Sequence, residues 1–184
     1  LVHALTQHVG AKAHRDVPAV VARMPPGHAL HPRVDHLRAG GNLPTGEVYV
    51  SPANGTAEGL IVFDGTVDLD THAEMPDVPV RVRFEKGYAA EIAGGETARK
   101  LDSLLERSAA MARDQGKKDE ERNARHLGEL GIGLNPNAKM SCNTLEDEKV
   151  GGTVHFAIGM NLEHDAHALI HLDCLVDEGV QEIM

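Results

Sequence analysis

The hydrophobic pattern of this chain is unreadable at its start and sharpens after Asn42. Val48-Tyr49-Val50 and Gly59-Leu60-Ile61-Val62-Phe63 are two short β-rich runs, separated by the turn formers Pro52, Asn54 and Gly55. From Val78 to Phe84 apolar and charged residues alternate, the pattern of a half-buried strand. Lys86-Gly87 reads as a turn that returns the chain through Tyr88 to Ile92 as a hairpin. Beyond Gly94-Gly95 the period changes. Ala98, Leu101, Leu104, Leu105, Ala109 and Met111 fall at helical spacing, which predicts one long helix near 95–115. The charged stretch Asp114 to Arg125 reads as the end of that helix and a solvated loop. Leu127 to Ile132 reads as a strand, Pro136 to Asn143 as a loop, and Thr153 to Ile158 and Ala168 to Val176 as the last strands. No repeat or low-complexity tract interrupts them. The fold class expected is α+β: a mostly antiparallel sheet, one long helix, and a site at strand ends on one sheet edge.

Residues 1–40 form a separate, poorly defined N-terminal segment, with residues 41–184 as the main domain. Within the former, Val17 to Met24 suits a short strand or a helix, stopped by Pro25-Pro26-Gly27. His28, His31 and His36 lie among glycines and prolines without strand or helix periodicity, so they read as loop residues rather than metal ligands.

Composition narrows the function. The 184 residues carry a formal net charge of −10, which argues against a binder of nucleic-acid backbones. No apolar run is long enough for a membrane span. The opening Leu1-Val2-His3-Ala4-Leu5 lacks the charged and apolar regions of a signal peptide, and the missing initiator Met suggests a fragment or processed chain. Two cysteines, Cys142 and Cys174, are too few for a disulfide framework, so a reduced, cytoplasmic setting is the expectation. Aromatic residues make up only 3%, so the core has to be built from Val, Ile, Leu and Ala.

The chemistry concentrates near the C-terminus. Glu146-Asp147-Glu148-Lys149 is followed by Gly151-Gly152-Thr153-Val154-His155 and then by His171-Leu172-Asp173. Imidazole and carboxylate are the donors that hold zinc, manganese, cobalt or iron while leaving positions for water. In a strand, residues two apart share a face, so His171 and Asp173 present side by side. Taken singly, Glu47 and Glu129 read as solvated strand-end carboxylates, Glu148 as a surface charge beside Lys149, and His155 as a core histidine. As a set beside glycines and prolines they read as a metal site.

Four segments carry a family resemblance: Leu43-Pro44-Thr45-Gly46-Glu47-Val48, Glu129-Leu130-Gly131-Ile132-Gly133-Leu134-Asn135-Pro136, Asp147-Glu148-Lys149 through Gly159, and His171-Leu172-Asp173. In content and order they resemble the metal-binding segments of the aminopeptidase T (thermophilic leucyl aminopeptidase) family, over about residues 40–176. The resemblance implies a dinuclear exopeptidase site in that family's C-terminal domain. Glu47, Glu129, His155, His171 and Asp173 would be the ligands of two divalent ions (Zn, Co or Mn), and Glu148 the general base. The substrates implied are peptides with a free N-terminus, and self-association as a homodimer is implied as well. The chain departs from the family in three respects. Leu162 stands where better-known members carry a tyrosine ligand, and Glu163-His164-Asp165-Ala166-His167 replaces a glycine-rich loop. The family's additional N-terminal α/β domain is not evident.

Two other readings stay open. His155, His171 and Asp173 form the 2-His-1-carboxylate set of mononuclear non-haem iron, and the fold is shared, by resemblance, with a ring-cleaving dioxygenase of dihydroxypyridine. Such an enzyme would use Fe(II). The remaining reading is an inactive metal-binding remnant.

Overall fold

Along much of the central strands, polar or small residues alternate with large apolar ones, and this period of two organises the large sheet. A computed structural model describes residues 9–13, 20–22, 45–162, 165–177 and 179–183. In chain order the strands are β1 (Val9–Ala13), β2 (Val20–Ala22), β3 (Glu47–Val50), β4 (Gly59–Phe63), β5 (Val67–Asp68), β6 (Ala73–Glu74), β7 (Val80–Glu85), β8 (Tyr88–Ala93), β9 (Leu127–Gly133), β10 (Val154–Gly159), β11 (His171–Val176) and β12 (Gly179–Ile183). The helices are α1 (Glu96–Asp114), α2 (Lys118–Asn123) and α3 (Thr144–Asp147). The class is α+β. Three sheets have the orders β3-β9-β10-β11-β5-β6, β4-β7-β8 and β12-β1-β2, and the strand pairs within them are antiparallel.

One face of the large sheet carries Val50, Leu130, Val154, Phe156, Ile158, Leu172, Cys174 and Val176, all buried in a single apolar cluster. Ile61 and Phe63 of β4, Val80, Val82 and Phe84 of β7, and Leu101 and Leu105 of α1 complete it. Phe63 meets Phe156 edge to face, with ring centroids 6.3 Å apart. In β7 the buried Val80, Val82 and Phe84 alternate with the outward Arg81, Arg83 and Glu85. The buried face of α1 repeats at helical spacing through Ala98, Leu101, Leu104, Leu105, Ser108, Ala109 and Ala112. Between β7 and β8, Lys86 and Gly87 both have positive φ (51° and 83°), the signature of a tight hairpin turn. A Cβ at position 87 would press on the backbone of Gly55, so the site demands glycine on two counts.

Several expectations change. The charged stretch after α1 is not all loop: α2 forms there, with Asp119, Glu120 and Glu121 in its first turn, where the helix dipole favours acids. Glu146 and Asp147 lie in the short helix α3 rather than in a strand or loop. The small hairpin β5–β6 has too few residues to show periodicity and was not expected. The strand expected from Val78 begins at Val80, after Pro79, and the last expected strand begins at His171 rather than Ala168. Within the segment 1–40, β1 and β2 pair with each other, and β1 pairs with β12. The strand β2 lies inside the run 17–24, whereas His28, His31 and His36 lie outside the described residues. Among the described residues no helix is long and apolar enough to cross a membrane.

Candidate metal centre

The face of the large sheet opposite the apolar cluster carries the chemistry. Strand register places Glu47 of β3 opposite Gly133, Tyr49 opposite Gly131, Gly131 opposite His155, and Ala157 between Glu129 and Asp173. His171 pairs with Gly159. Paired residues share a face, so Glu47, Glu129, His155, His171 and Asp173 project together over a floor of Gly131, Gly133, Ala157 and Gly159. The site therefore spans the face of four adjacent strands and is not at one sheet edge. The floor is small for a reason. A Cβ on Gly131 would collide with the imidazole ring of His155, 2.0 Å from its Nε2. A Cβ on Gly133 would collide with the Val150 carbonyl. A bulge at Ala157/Ile158 shifts the β9–β10 register beside Glu129.

The segment 141–151 folds over one end of this floor. Asp147 anchors it, fully buried. Its Oδ1 accepts from the Ser141 amide at 2.7 Å and from the Ser141 hydroxyl at 3.2 Å, and its Oδ2 from the Thr66 hydroxyl at 2.6 Å. The Asn135 amide donates to the Lys149 carbonyl (2.8 Å), and the Gly151 amide to the Asn135 carbonyl (2.9 Å). Glu148 and Lys149 are thereby held against the sheet.

Lys149 is the central cation. Its side chain is 2% exposed, and its Nζ donates to Glu47 Oε1 at 2.8 Å and to Glu148 Oε1. His155 Nε2 lies 3.1 Å from Glu129 Oε1 and 3.5 Å from Glu47 Oε2. His171 Nε2 lies 3.7 Å from Glu129 Oε2 and 3.6 Å from Asp173 Oδ1. Two sets of donors have ligand atoms within 4.8 Å of one another: Glu47, Glu148 and His155, and Glu129, His155 and Asp173. Within the second set, Glu129 Oε2 and Asp173 Oδ1 are buried without a hydrogen-bond partner. Buried acceptors left unpaired are costly, and a divalent ion would satisfy both. The mixed imidazole and carboxylate donors suit such an ion. Glu47, His171 and Asp173 retain about a fifth of their side-chain exposure or slightly less (19%, 21% and 15%), which leaves a way in from solvent.

The electrostatics agree. Burial disfavours a charged His171, but Asp173, the Met160 carbonyl and Glu129 outweigh it and raise its pKa to about 9. His155 is also raised, with burial opposed chiefly by Glu129. Burial and the charges of Asp173 and Glu47 push Glu148 up to about 7, against the pull of Lys149.

All six residues singled out by sequence thus meet in one patch. Glu148 is buried rather than a surface charge, and Glu129 is the third residue of β9, 4% exposed, rather than a solvated strand end. Leu162 is exposed in a turn. Asp165 is a loop residue, its carboxylate engaged by the Asn161 amide. Glu163 and His164 lie outside the described residues. Sequence reading missed two members. Asp147 and Lys149 were seen only as parts of the segment Asp147-Glu148-Lys149, with no role given to either.

Two outcomes follow. Gly131→Ala should displace the His155 ring, lower metal affinity about tenfold or more, and cost roughly 1–3 kcal/mol of stability through overpacking; metal titration and chemical denaturation read the two separately. The protonated His171 must lose its proton to ligate, so metal binding at neutral pH should release at least one proton. Affinity should then rise about tenfold per pH unit and level off near pH 9. Calorimetric titration in buffers of different ionisation enthalpy measures that release, and a pH-independent affinity between 6 and 9 would contradict it.

Comparison with known proteins places this geometry. Among solved structures, wild-type AmpT from Thermus thermophilus superposes with a TM-score of 0.69 at 22% identity, covering 95% of this chain and 45% of that one. The 2,5-dihydroxypyridine dioxygenase from Pseudomonas putida KT2440 superposes with a TM-score of 0.68 at 19% identity, covering 99% of this chain and 53% of that one. At such identities the likeness is one of fold, and this chain spans about half the length of either protein. Comparison with curated protein sequences returns no significant match. The sequence profile described as NicX: 2,5-dihydroxypyridine 5,6-dioxygenase matches residues 10–178, nearly the whole chain. The chain therefore belongs to the NicX, or 2,5-dihydroxypyridine 5,6-dioxygenase, family.

Proposed function

We propose that this chain is the metal-binding part of a mononuclear non-haem iron oxygenase that opens a hydroxylated, electron-rich aromatic ring. His155, His171 and Asp173 would hold the ion, with Glu129 beside them. One observation carries the reading. Glu47 and Glu148 share the Lys149 ammonium, whereas Glu129 Oε2 and Asp173 Oδ1 accept no hydrogen bond and have the His171 imidazole only at 3.7 and 3.6 Å. Two histidines and a carboxylate form the facial set associated with ferrous oxygenases. Membership of a dioxygenase family points the same way.

When bound, ferrous iron would supply the redox chemistry that joins dioxygen to a ring. The chain's own residues prepare the ground. His171 donates from Nδ1 to the Met160 carbonyl at 2.6 Å, which orients the ring so that Nε2, once deprotonated, can serve as the ligand atom beside Asp173 and Glu129. Gly131 carries no side chain, and the His155 ring lies in the space this leaves. The buried setting strengthens each of these interactions.

A second reading keeps one specific observation in its favour. Glu47, Glu148 and His155 form a further donor set, as a dinuclear aminopeptidase would need, with Glu148 as general base and peptides with free N-termini as substrates. The fold likeness to AmpT is compatible with it. It requires Lys149 to leave its place between Glu47 and Glu148.

The test is metal content after anaerobic reconstitution, followed by oxygen uptake with 2,5-dihydroxypyridine and release of product from unblocked aminoacyl substrates. The expected result is about one iron per chain, ring-dependent oxygen uptake, and loss of iron by at least tenfold in His171→Ala and Asp173→Ala. Two zinc, cobalt or manganese ions per chain with aminoacyl hydrolysis would replace this reading with the peptidase.

A further inference from the structure

We infer that the Lys149 ammonium stands where a second metal ion would otherwise bind, and so determines that this chain holds one ion rather than two. This rests on the one-metal reading above and adds the residue responsible for it. The oxygens around Lys149 Nζ are those a metal ion would use: Glu47 Oε1 at 2.8 Å and Glu148 Oε1 in direct contact, both within reach of one cation. Ammonium and divalent metal compete here for the same oxygens. Glu148 and Lys149 are almost fully enclosed, at 7% and 2% side-chain exposure. Two carboxylates so placed require a cation of some kind, since uncompensated buried charge is strongly destabilising.

The lysine is also tethered. The Lys149 amide donates to the Glu146 carbonyl at 3.0 Å, and the Lys149 carbonyl accepts from the Asn135 amide at 2.8 Å. The root of the side chain is therefore fixed, and the ammonium can leave only by rotating within a closed space. A cation delivered by the backbone in this way is permanent, whereas a metal ion at the same point would be exchangeable. Removing the ammonium while keeping the length of the side chain should expose Glu47 and Glu148 as ligands.

The experiment is the number of manganous ions bound per chain, read by elemental mass spectrometry and by electron paramagnetic resonance, which distinguishes isolated from coupled pairs. The native chain should bind one ion and Lys149→Met two, with a coupled signal. Lys149→Met combined with Glu148→Gln should return to one. Lys149→Gln, which keeps a donor for Glu47, is the second variant if Lys149→Met does not fold. Should both fold only with manganese present, a requirement for two equivalents supports the inference and a requirement for one overturns it. One ion in both the native chain and Lys149→Met overturns the inference and leaves the one-metal reading standing. Two ions in the native chain overturn both.

Discussion

The structure turns on an excess of buried negative charge. Glu47, Glu129, Glu148 and Asp173 converge on one patch of sheet, most of it closed to water. Among the described residues, Lys149 is the one lysine or arginine paired with them. Carboxylates in such a place repel one another and lose their hydration, so they need positive charge at short range. Lys149 is shared by two, Glu47 and Glu148. The others draw on His155 and His171, whose affinity for protons rises accordingly. A patch that pulls protons onto its histidines is one that a divalent ion would occupy in their stead, because the ion supplies more charge and reaches oxygens that no donor satisfies.

The rest of the fold makes that patch possible. Alternation along β9, β10 and β11 sends Leu130, Phe156 and Leu172 into the apolar cluster and leaves the opposite face free for Glu129, His155, His171 and Asp173. The apolar side supplies the stability that the polar side costs. Gly131 gives the His155 ring a place to lie, and Asp147 ties the segment carrying Glu148 and Lys149 to Thr66 and Ser141. Neither residue offers an atom to the ion, yet each sets where the donors stand.

Much of this was legible in the sequence where a period could be counted. The alternation of Val80 to Phe84 and the helical spacing of Ala98 to Ala109 announced β7 and α1. The spacing of His171 and Asp173 placed them on one face, and they are on one face. Short elements such as β5, β6 and α3 span less than two full periods and leave no such trace. The spread of the site over four strands was not legible either, because register comes from pairing between distant segments. The role of Lys149 was hidden for the same reason: its partnership with Glu47 spans 102 positions of sequence. The resemblance to aminopeptidase T and the match to the NicX profile describe one scaffold, and the motifs they share do not by themselves state how many ions it holds.

The central claim is that this patch is completed by a cation the chain does not itself supply. Thermal unfolding of the metal-free protein, with and without added ferrous or zinc ion, tests it most directly. An ion at a hundred times its dissociation constant should add about 2.7 kcal/mol of stability, a rise in Tm on the order of 5–10 °C for a chain of this size, and the rise should vanish in Asp173→Ala. An unchanged Tm in the native chain at saturating metal would contradict the account.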